Sequence, residues 1–259
     1  MSEIKLYNGD CLDVMNRLIA EGVKVDAIIT DPPYGTTACK WDSVIPFEKM
    51  WSCLNKIIKD DGAVVLFGTE PFSSLLRCSN LEMFRYDWVW NKNYGTDFQL
   101  AKLRPMRTHE NISVFSKAKT ANGAKLNMVY YPQKTPLLNP VKNGGAPTTK
   151  LLNKNSMTRL DIYYTDKSPH TVIEFRPVFN NPTNPRLHPT QKPLDLIKYL
   201  VKTYTKENEI VLDFTMGSGT TGVACKLLNR SFIGIELDEN YFKVAEERIN
   251  NTVVMKGLF

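Results

Sequence analysis

An acidic residue, two prolines and an aromatic residue stand together directly after a short apolar run. They are Asp31, Pro32, Pro33 and Tyr34, and the run before them is Ala27-Ile28-Ile29. The Asp31 carboxylate accepts hydrogen bonds, Pro32 offers a carbonyl on a backbone of fixed φ, and Tyr34 supplies a stacking face. These groups predict a pocket for a planar amino group, such as the exocyclic amine of a nucleobase. A Pro-Pro turn capped by an aspartate is the alternative without chemistry.

A glycine-rich segment near the carboxyl end matches the pattern G-x-G-x-x-G. It reads Gly217-Ser218-Gly219-Thr220-Thr221-Gly222, and Glu236 follows at the end of the next predicted strand. Glycines let the backbone approach a ligand closely, a helix that begins there favours negative charge, and the acidic residue can accept hydrogen bonds from ribose hydroxyls. The segment indicates a nucleoside-bearing cofactor, for which NAD is one candidate, and a purely structural glycine turn is the alternative.

The periodicity of apolar residues predicts the elements that position these motifs. Strands and helices alternate, which predicts a mostly parallel α/β sheet with helices on both faces. Strands are expected at Ile4–Tyr7, before Asp31, and at Ala63–Phe67, Tyr86–Trp90, Asn111–Phe115, Ile210–Phe214 and Phe232–Leu237; helices are expected from Leu12 to Ile19, Phe47 to Ile58 and Leu194 to Tyr204, through Ala224 and Leu227, and from about Glu239 to Ile249.

The middle of the chain differs from the rest in pattern and in charge. Residues 118–187 show little periodicity, apart from short strands expected around Ile162–Tyr164 and Val172–Phe175. Residues 116–187 carry a net charge of +8, whereas the remainder of the chain carries −2. Lysine and arginine that neutralise phosphates supply affinity for nucleic acid. We therefore expect an inserted recognition region with a polyanionic partner; a solvated loop region is the alternative.

Cysteine and histidine usage argues against disulfides and metals. The five cysteines are odd in number, scattered and free of any C-x-x-C pair, which favours reduced thiols in a cytoplasmic protein. The three histidines lack metal-ligand spacing, so no metal is expected. The first residues show no signal pattern and no apolar stretch is long enough to span a membrane, so we expect neither export nor membrane insertion.

A third motif, His188-Pro189-Thr190-Gln191-Lys192-Pro193, precedes the helix expected at Leu194. With these three motifs in this order, the chain resembles the amino-methyltransferases of DNA that use S-adenosylmethionine, the N6-adenine and N4-cytosine family. The order is that of the permuted β class, and the resemblance extends from about Asn8 to Ile249, apart from the middle insertion. It implies a Rossmann-like methyltransferase sheet, S-adenosylmethionine as cofactor and double-stranded DNA as partner. It divides the chain into a catalytic half (1–117), a target-recognition insertion (118–187) and a cofactor-binding half (188–259).

The resemblance makes Asp31, Pro32, Pro33 and Tyr34 the catalytic segment. We hypothesise that the Asp31 carboxylate and the Pro32 carbonyl accept the two amino hydrogens of the target base. The nitrogen lone pair would then point at the sulfonium methyl, so that transfer depends on positioning and electrostatics. Tyr34 would stack on a base that has left the duplex.

The resemblance also implies a set of cofactor-binding residues. Asp213, Gly217 and Gly219 would shape the pocket, Glu236 would bind the ribose, and Asp10 would lie near the adenine of the cofactor. Thr190, Gln191 and Lys192 would close over its methionine end. The full predicted set is Asp10, Asp31, Thr190, Gln191, Lys192, Asp213, Thr215, Gly217, Ser218, Gly219, Thr220 and Glu236. The family often has Asp-Pro-Phe where this chain has Asp213-Phe214-Thr215, which puts an aromatic contact at Thr215 in doubt.

Several functional alternatives stay open at this point. Within the family, Asp rather than Ser at position 31 favours adenine over cytosine N4. An NAD-dependent oxidoreductase would leave Asp31 to Tyr34 and the basic segment unexplained. A DNA-binding protein that has lost catalysis would not need an intact Asp31-Pro32-Pro33-Tyr34. The resemblance allows a homodimer and a cognate restriction endonuclease as partners, in the cytoplasm of a prokaryotic or phage-infected cell. A loop from Gly35 to Asp42 with Trp41 could cover the bound base.

Overall fold

The computed structural model describes residues 2–35, 43–142, 163–181 and 185–254. The predicted covering loop with Trp41 lies outside these residues, except for Gly35. The chain forms two compact units, one made of Met1–Tyr131 with Thr171–Phe259 and the other of Pro132–His170. The larger unit contains all three sequence motifs.

Strands and helices alternate through most of the larger unit, as the periodicity predicts. Its elements, and the two strands β6 and β7 of the smaller unit, are β1 (Ile4–Asn8), α1 (Cys11–Ala20), β2 (Val25–Thr30), α2 (Phe47–Ile57), β3 (Ile58–Gly68), α3 (Phe72–Cys78), β4 (Phe84–Thr96), a 3-10 turn (Phe98–Leu100), β5 (Arg107–Phe115), β6 (Thr135–Lys142), β7 (Tyr163–Lys167), β8 (Val172–Glu174), α4 (Leu194–Tyr204), β9 (Ile210–Asp213), α5 (Thr220–Leu227), β10 (Ser231–Glu236) and α6 (Glu239–Asn250).

The sheet of the larger unit has eight strands in the order β1-β10-β9-β2-β3-β5-β4-β8. Of these strands, β5 alone runs against its neighbours, and every other pairing is parallel. The centre of the sheet joins the two halves of the chain, because β2 pairs with β9 through Ala27 with Val211 and Ile28 with Leu212. This pairing puts the carboxyl ends of β2 and β9 at the same edge of the sheet.

Side chains of the central strands alternate between two apolar layers, since successive residues of a strand point to opposite faces. Ile28 packs with the buried residues of α1, α2 and α3, whereas Ile29 packs with those of α4, α5 and α6. Both side chains are fully buried. Helices therefore cover both faces, and the predicted α/β fold class is confirmed.

Part of the predicted insertion belongs to the main sheet. Strand β8 pairs with β4 at the edge, through Val172 with Val89 and Ile173 with Trp90. Ile173 is buried in the apolar layer on one face. Residues 118–131 and 171–187 thus belong to the larger unit, and the recognition role of 118–187 stays a prediction.

The smaller unit is built on an antiparallel pair of strands, β6 and β7. Thr135 pairs with Lys167 and Val141 with Tyr164, with an irregularity between Pro136 and Val141. Most of these residues are exposed. An ion pair of 2.9 Å joins Lys134 Nζ and Asp166 Oδ1. Ile162, where the sequence predicts a strand to begin, lies outside the described residues.

Candidate active site

A cavity of about 430 Å³ opens at the edge of the sheet where β1, β2, β9 and β10 end. Such a volume is typical of small-molecule sites. The predicted site residues that line it are Asp10, Asp31, Pro32, Pro33, Tyr34, Thr190, Gln191, Lys192, Asp213, Thr215, Gly217, Ser218, Thr220 and Glu236. The structure therefore brings together three motifs that are far apart in the sequence. Gly219, the remaining predicted residue, is the N-cap of α5 and does not line the cavity.

Asp31 lies directly after β2 and is held from two sides. The hydroxyl of Tyr34 donates a hydrogen bond to Asp31 Oδ1, and the ammonium of Lys192 donates one to Oδ2. The ring of Tyr34 packs on Phe72, with 4.9 Å between ring centroids and a tilt of 34°. Pro32 is buried beside them. In this arrangement the carboxylate proposed to hold an amine is paired with a lysine.

A second buried carboxylate, Glu110 on β5, completes this charge cluster. Its Oε1 accepts a hydrogen bond of 2.5 Å from Lys92 Nζ, and its Oε2 lies 3.5 Å from Lys192 Nζ. The side chains of Glu110, Lys92 and Lys192 are between 10 and 12% exposed. Sequence reasoning missed Glu110, although a charged residue directly before the predicted strand Asn111–Phe115 was a usable signal. Lys92 was missed as well.

Burial and charge shift the pKa values of this cluster in different directions. Burial and the nearby Glu110 raise the pKa of Asp31, the ammonium of Lys192 and the hydroxyl of Tyr34 lower it, and the net shift is upward. Burial also raises the pKa of Glu110, but Lys192 and Lys92 together hold it below its ordinary value. Burial lowers the pKa of Lys192, whereas Asp31 and Glu110 raise it by more, so this lysine stays charged.

A chain of hydroxyl groups ties the end of β9 to the end of β2. Thr30 Oγ1 donates to Asp213 Oδ1 at 2.6 Å and lies 2.7 Å from Thr215 Oγ1. Thr215 Oγ1 donates in turn to the backbone carbonyl of Asp31 at 3.1 Å. Thr215 therefore connects the cofactor-binding half to Asp31 where the family pattern suggested an aromatic contact, and Phe214 is buried in the core. Sequence reasoning missed Thr30.

Asp213 is held in a buried position with few compensating charges. Burial raises the pKa of Asp213 to about 6, although the hydroxyl groups of Thr30 and Thr221 and the backbone N–H of Thr215 each lower it. Its exposed fraction is 4%. A carboxylate so placed fixes the turn after β9 through its hydrogen bonds.

The glycine loop adopts backbone conformations that glycine favours. Gly217 has φ +52° and Gly219 has φ +74°. The N–H of Gly217 donates to Glu236 Oε2 at 2.8 Å, and the N–H of Asp238 donates to Glu236 Oε1 at 2.9 Å. A carboxylate has about four acceptor sites, so Glu236 can accept further hydrogen bonds from the cavity. Burial raises its pKa.

Gly222 lies in α5, where a side chain would not fit. A Cβ atom there would clash with Ile249 Cδ1 and would lie 2.7 Å from Phe232 Cε1. The third glycine of the motif thus permits α5 to pack closely on β10 and α6, as in dinucleotide-binding loops.

His188 closes the side of the cavity next to the glycine loop. The backbone N–H of Thr190 donates to His188 Nδ1 at 3.2 Å, so this nitrogen carries no proton and the neutral ring is protonated at Nε2. The ring meets Tyr241 edge-on at 4.3 Å. Burial lowers the pKa of His188 to about 4, and the nearby Lys192 and Arg186 lower it as well.

Asp10 caps helix α1 while it borders the cavity. Its Oδ1 accepts hydrogen bonds from the backbone N–H groups of Leu12, at 2.8 Å, and Asp13, at 3.3 Å. Asn8 Nδ2 donates to the backbone carbonyl of Glu236 at 2.8 Å, which joins the ends of β1 and β10. These contacts place Asp10 and Glu236 on the same wall.

The residues present fit a nucleoside cofactor with an amino-acid tail. Glu236 offers a buried acceptor for ribose hydroxyls beside backbone that approaches closely at Gly217. The segment from Thr190 to Lys192 borders the same cavity. No group of three His, Cys, Asp or Glu side chains suited to a metal occurs in the described part of the chain. Within the same residues, no helix has the length and apolar character to cross a membrane.

Comparison with known proteins agrees with this geometry. The family model for DNA methylases named N6_N4_Mtase matches residues 25–247. Type II methyltransferase M1.MboII of Moraxella bovis is 29% identical over 262 residues, which cover 95% of this chain and 96% of the relative. DNA adenine methyltransferase YhdJ of Escherichia coli K12 is 28% identical over 271 residues, covering 95% and 82%.

Solved structures give the same result. The complex of M1.HpyAVI with SAM superposes with a TM-score of 0.62 at 27% identity, covering 95% of this chain and 99% of that one. The cytosine-N4-specific PvuII DNA methyltransferase superposes with a TM-score of 0.63 at 16% identity, covering 97% and 88%. The second likeness shows a shared fold.

Proposed function

Because the chain belongs to the N6-adenine and N4-cytosine DNA methylase family, we propose that it methylates N6 of adenine in double-stranded DNA. It is a DNA methyltransferase, and S-adenosylmethionine is its methyl donor. One observation carries the proposal: Asp31 to Tyr34 and the glycine loop with Glu236 border the same cavity. An acceptor for an amine and a site for a nucleoside cofactor are thereby adjacent.

Two observations favour adenine over cytosine as the target. The residue before the two prolines is Asp31, which within the family favours adenine. YhdJ, a relative that matches 95% of this chain, is named a DNA adenine methyltransferase. Cytosine N4 is the alternative, since both amines have the same planar geometry.

Asp31 and Pro32 prepare the amine for transfer. The lone pair of an exocyclic amine is delocalised into the base, so the nitrogen is a poor nucleophile until its hydrogens are held out of plane. The Asp31 carboxylate and the Pro32 carbonyl accept these two hydrogens and direct the lone pair toward the cofactor side of the cavity. When bound, S-adenosylmethionine supplies a methyl carbon on a positively charged sulfur, which keeps the electron pair of the broken carbon–sulfur bond.

Asp31 also receives the proton that the methylated nitrogen must lose. Burial raises the pKa of Asp31, so its carboxylate takes up a proton more readily than that of an exposed aspartate. Tyr34 supplies the face on which the base stacks, and the base must leave the duplex because its amine is paired inside the helix.

The decisive experiment incubates the protein with methyl-labelled S-adenosylmethionine and DNA, then digests the DNA to nucleosides. Labelled N6-methyladenine supports the proposal, labelled N4-methylcytosine overturns the adenine assignment, and absence of label overturns the activity. Asp31→Asn should reduce transfer by at least a hundredfold while cofactor binding persists. Asp195→Asn is the matched control, because this aspartate is 82% exposed on α4.

We also propose the setting in which the enzyme works. Its DNA substrate and the bacterial sources of its relatives support a location in the cytoplasm of a prokaryotic or phage-infected cell. A cognate restriction endonuclease would cut unmodified DNA and spare DNA that this enzyme has methylated. A homodimer would sediment with twice the mass of the chain, and a monomeric mass at micromolar concentration would rule it out.

A further inference from the structure

We propose that Glu110 is a positioning residue that takes Lys192 away from Asp31 when the target base enters. The inference rests on the proposed function and adds a residue outside the three sequence motifs. Lys192 would move between two carboxylates, pairing with Asp31 in the empty site and with Glu110 when Asp31 holds the amine.

The observed pairing of Asp31 opposes its proposed role as an acceptor for the amine. Lys192 donates to Asp31 Oδ2 and the Tyr34 hydroxyl to Oδ1. An ammonium at the carboxylate weakens it as an acceptor for amino hydrogens. It also places a positive charge beside a nitrogen that becomes positive during transfer. The lysine must therefore withdraw before the amine can be activated.

Lys192 cannot withdraw into water. It is 9% exposed, and a buried ammonium without a counter-ion is strongly unfavourable. It needs a second carboxylate within reach. Glu110 is the other acidic residue that forms an ion pair with it in the described part of the chain.

Glu110 can bind Lys192 more closely than it does. Its Oε1 is bound by Lys92, whereas its Oε2 is buried and, among the described residues, has only the long ion-pair contact with Lys192. Buried carboxylate oxygens ordinarily have a donor at hydrogen-bond distance. Lys192 Nζ lies 3.5 Å away, so a shift of less than about 1 Å forms a charge-assisted hydrogen bond. This long contact is explained if Glu110 Oε2 is the second position of Lys192.

Lys92 and the net charge of the cluster stay fixed while Lys192 moves. Lys92 Nζ is bound to Glu110 Oε1 and lies 5.1 Å from the ring centroid of Trp90, while Lys192 Nζ lies 5.1 Å from that of Phe67. With two carboxylates and two ammonium groups the cluster is neutral in both positions of Lys192. The movement thus changes no net charge inside the protein.

The test uses four variants that separate this role from a structural one. Glu110→Gln combined with Lys92→Met removes the second carboxylate without leaving Lys92 unpaired. Lys92→Met alone is the matched control, because Lys192 keeps both carboxylates. Adding Lys192→Met to Lys92→Met, once with and once without Glu110→Gln, removes the moving charge itself and gives the other two variants. Single-turnover methyl transfer, cofactor affinity and thermal stability are measured for each.

We expect Lys92→Met to transfer methyl within about threefold of the unmodified enzyme, and the Glu110→Gln, Lys92→Met pair to lose at least tenfold in rate with cofactor affinity unchanged. When Lys192 is methionine, adding Glu110→Gln to the Lys92→Met background should slow methyl transfer by less than threefold. The inference would be overturned if Glu110→Gln slowed transfer by the same factor with lysine and with methionine at position 192. It would also be overturned if the Glu110→Gln, Lys92→Met pair were as fast as Lys92→Met alone. If the unmodified enzyme labels no DNA, the proposed function fails instead.

Discussion

Thr215 shows how one hydroxyl can join two halves of a site. Its Oγ1 donates to the backbone carbonyl of Asp31 at 3.1 Å and lies 2.7 Å from Thr30 Oγ1. The departure from Asp-Pro-Phe was visible in the sequence, but its consequence depended on the pairing of β2 with β9. Neither Thr30 nor Glu110 belongs to a motif. The order of the strands in the folded sheet brings them to the site, and the sequence does not contain that order.

Replacing Thr215 by valine should loosen Asp31 relative to the cofactor loop. The variant keeps the shape of the side chain and removes both hydroxyl contacts, so we expect about a tenfold slower single-turnover transfer and a loss of about 1 kcal/mol in unfolding free energy. Thr252→Val is the control, since Thr252 donates to the carbonyl of Arg248 at 2.8 Å outside the cavity lining. Equal transfer rates for the two variants would remove Thr215 from the site.

His188 should make the enzyme sensitive to acid. Its pKa is lowered to about 4 by burial, below its ordinary value, so between pH 6.5 and 4 the unfolded chain binds a proton that the folded chain does not. The contribution of His188 to the free energy of unfolding is therefore fully present above pH 6.5 and is lost as the pH falls toward 4. After discounting for solvent screening, the loss is about 2 kcal/mol.

The measurement compares urea unfolding of the unmodified protein and His188→Gln at pH 7 and pH 4.5. Glutamine does not titrate, so the unmodified protein should lose more stability between these values. A fall of the same size in both proteins would mean that His188 is protonated in the folded state.

At the level of elements, periodicity predicted the strands and helices whose apolar residues repeat regularly. The helix expected from Leu194 to Tyr204 has these bounds in the structure, and the helix expected from about Glu239 to Ile249 ends one residue later. The periodicity did not predict α3, a helix of seven residues of which three are buried. It predicted the short strand around Val172–Phe175, which the structure has as β8 (Val172–Glu174), but assigned it to the insertion. Its pairing with β4 in the main sheet is a tertiary effect that the local pattern does not contain.

Gly222 allows a prediction about the packing of α5. A methyl group there would clash with Ile249 Cδ1 and lie 2.7 Å from Phe232 Cε1, so Gly222→Ala should cost about 1–3 kcal/mol and weaken cofactor binding. Ile249→Ala creates space at the same point. The double variant should lose less stability than the sum of the two single losses, as measured by chemical denaturation. Strict additivity would show that the helix does not depend on this contact.

At the scale of the whole molecule, charge is divided between segments. Residues 116–187 carry +8 and the remainder −2, so affinity for a phosphate backbone is expected from the middle of the chain. The smaller unit, Pro132–His170, contains Lys134, Lys142, Lys150 and Lys154; the last two lie outside the described residues. Lys134 is paired with Asp166 in this unit.

Reversing the charge of Lys134, Lys142, Lys150 and Lys154 to glutamate should weaken DNA binding and flatten its salt dependence. Each lost phosphate contact reduces the slope of log K against log salt by about 0.9, because fewer counter-ions are released. Four exposed lysines elsewhere, Lys5, Lys49, Lys202 and Lys243, give a control with the same change in net charge. Fluorescence anisotropy over a salt series distinguishes the two sets. If both lose affinity equally, overall charge attracts the DNA; if the first set binds normally, DNA contacts lie outside these four positions, and in either case cofactor affinity should be unchanged.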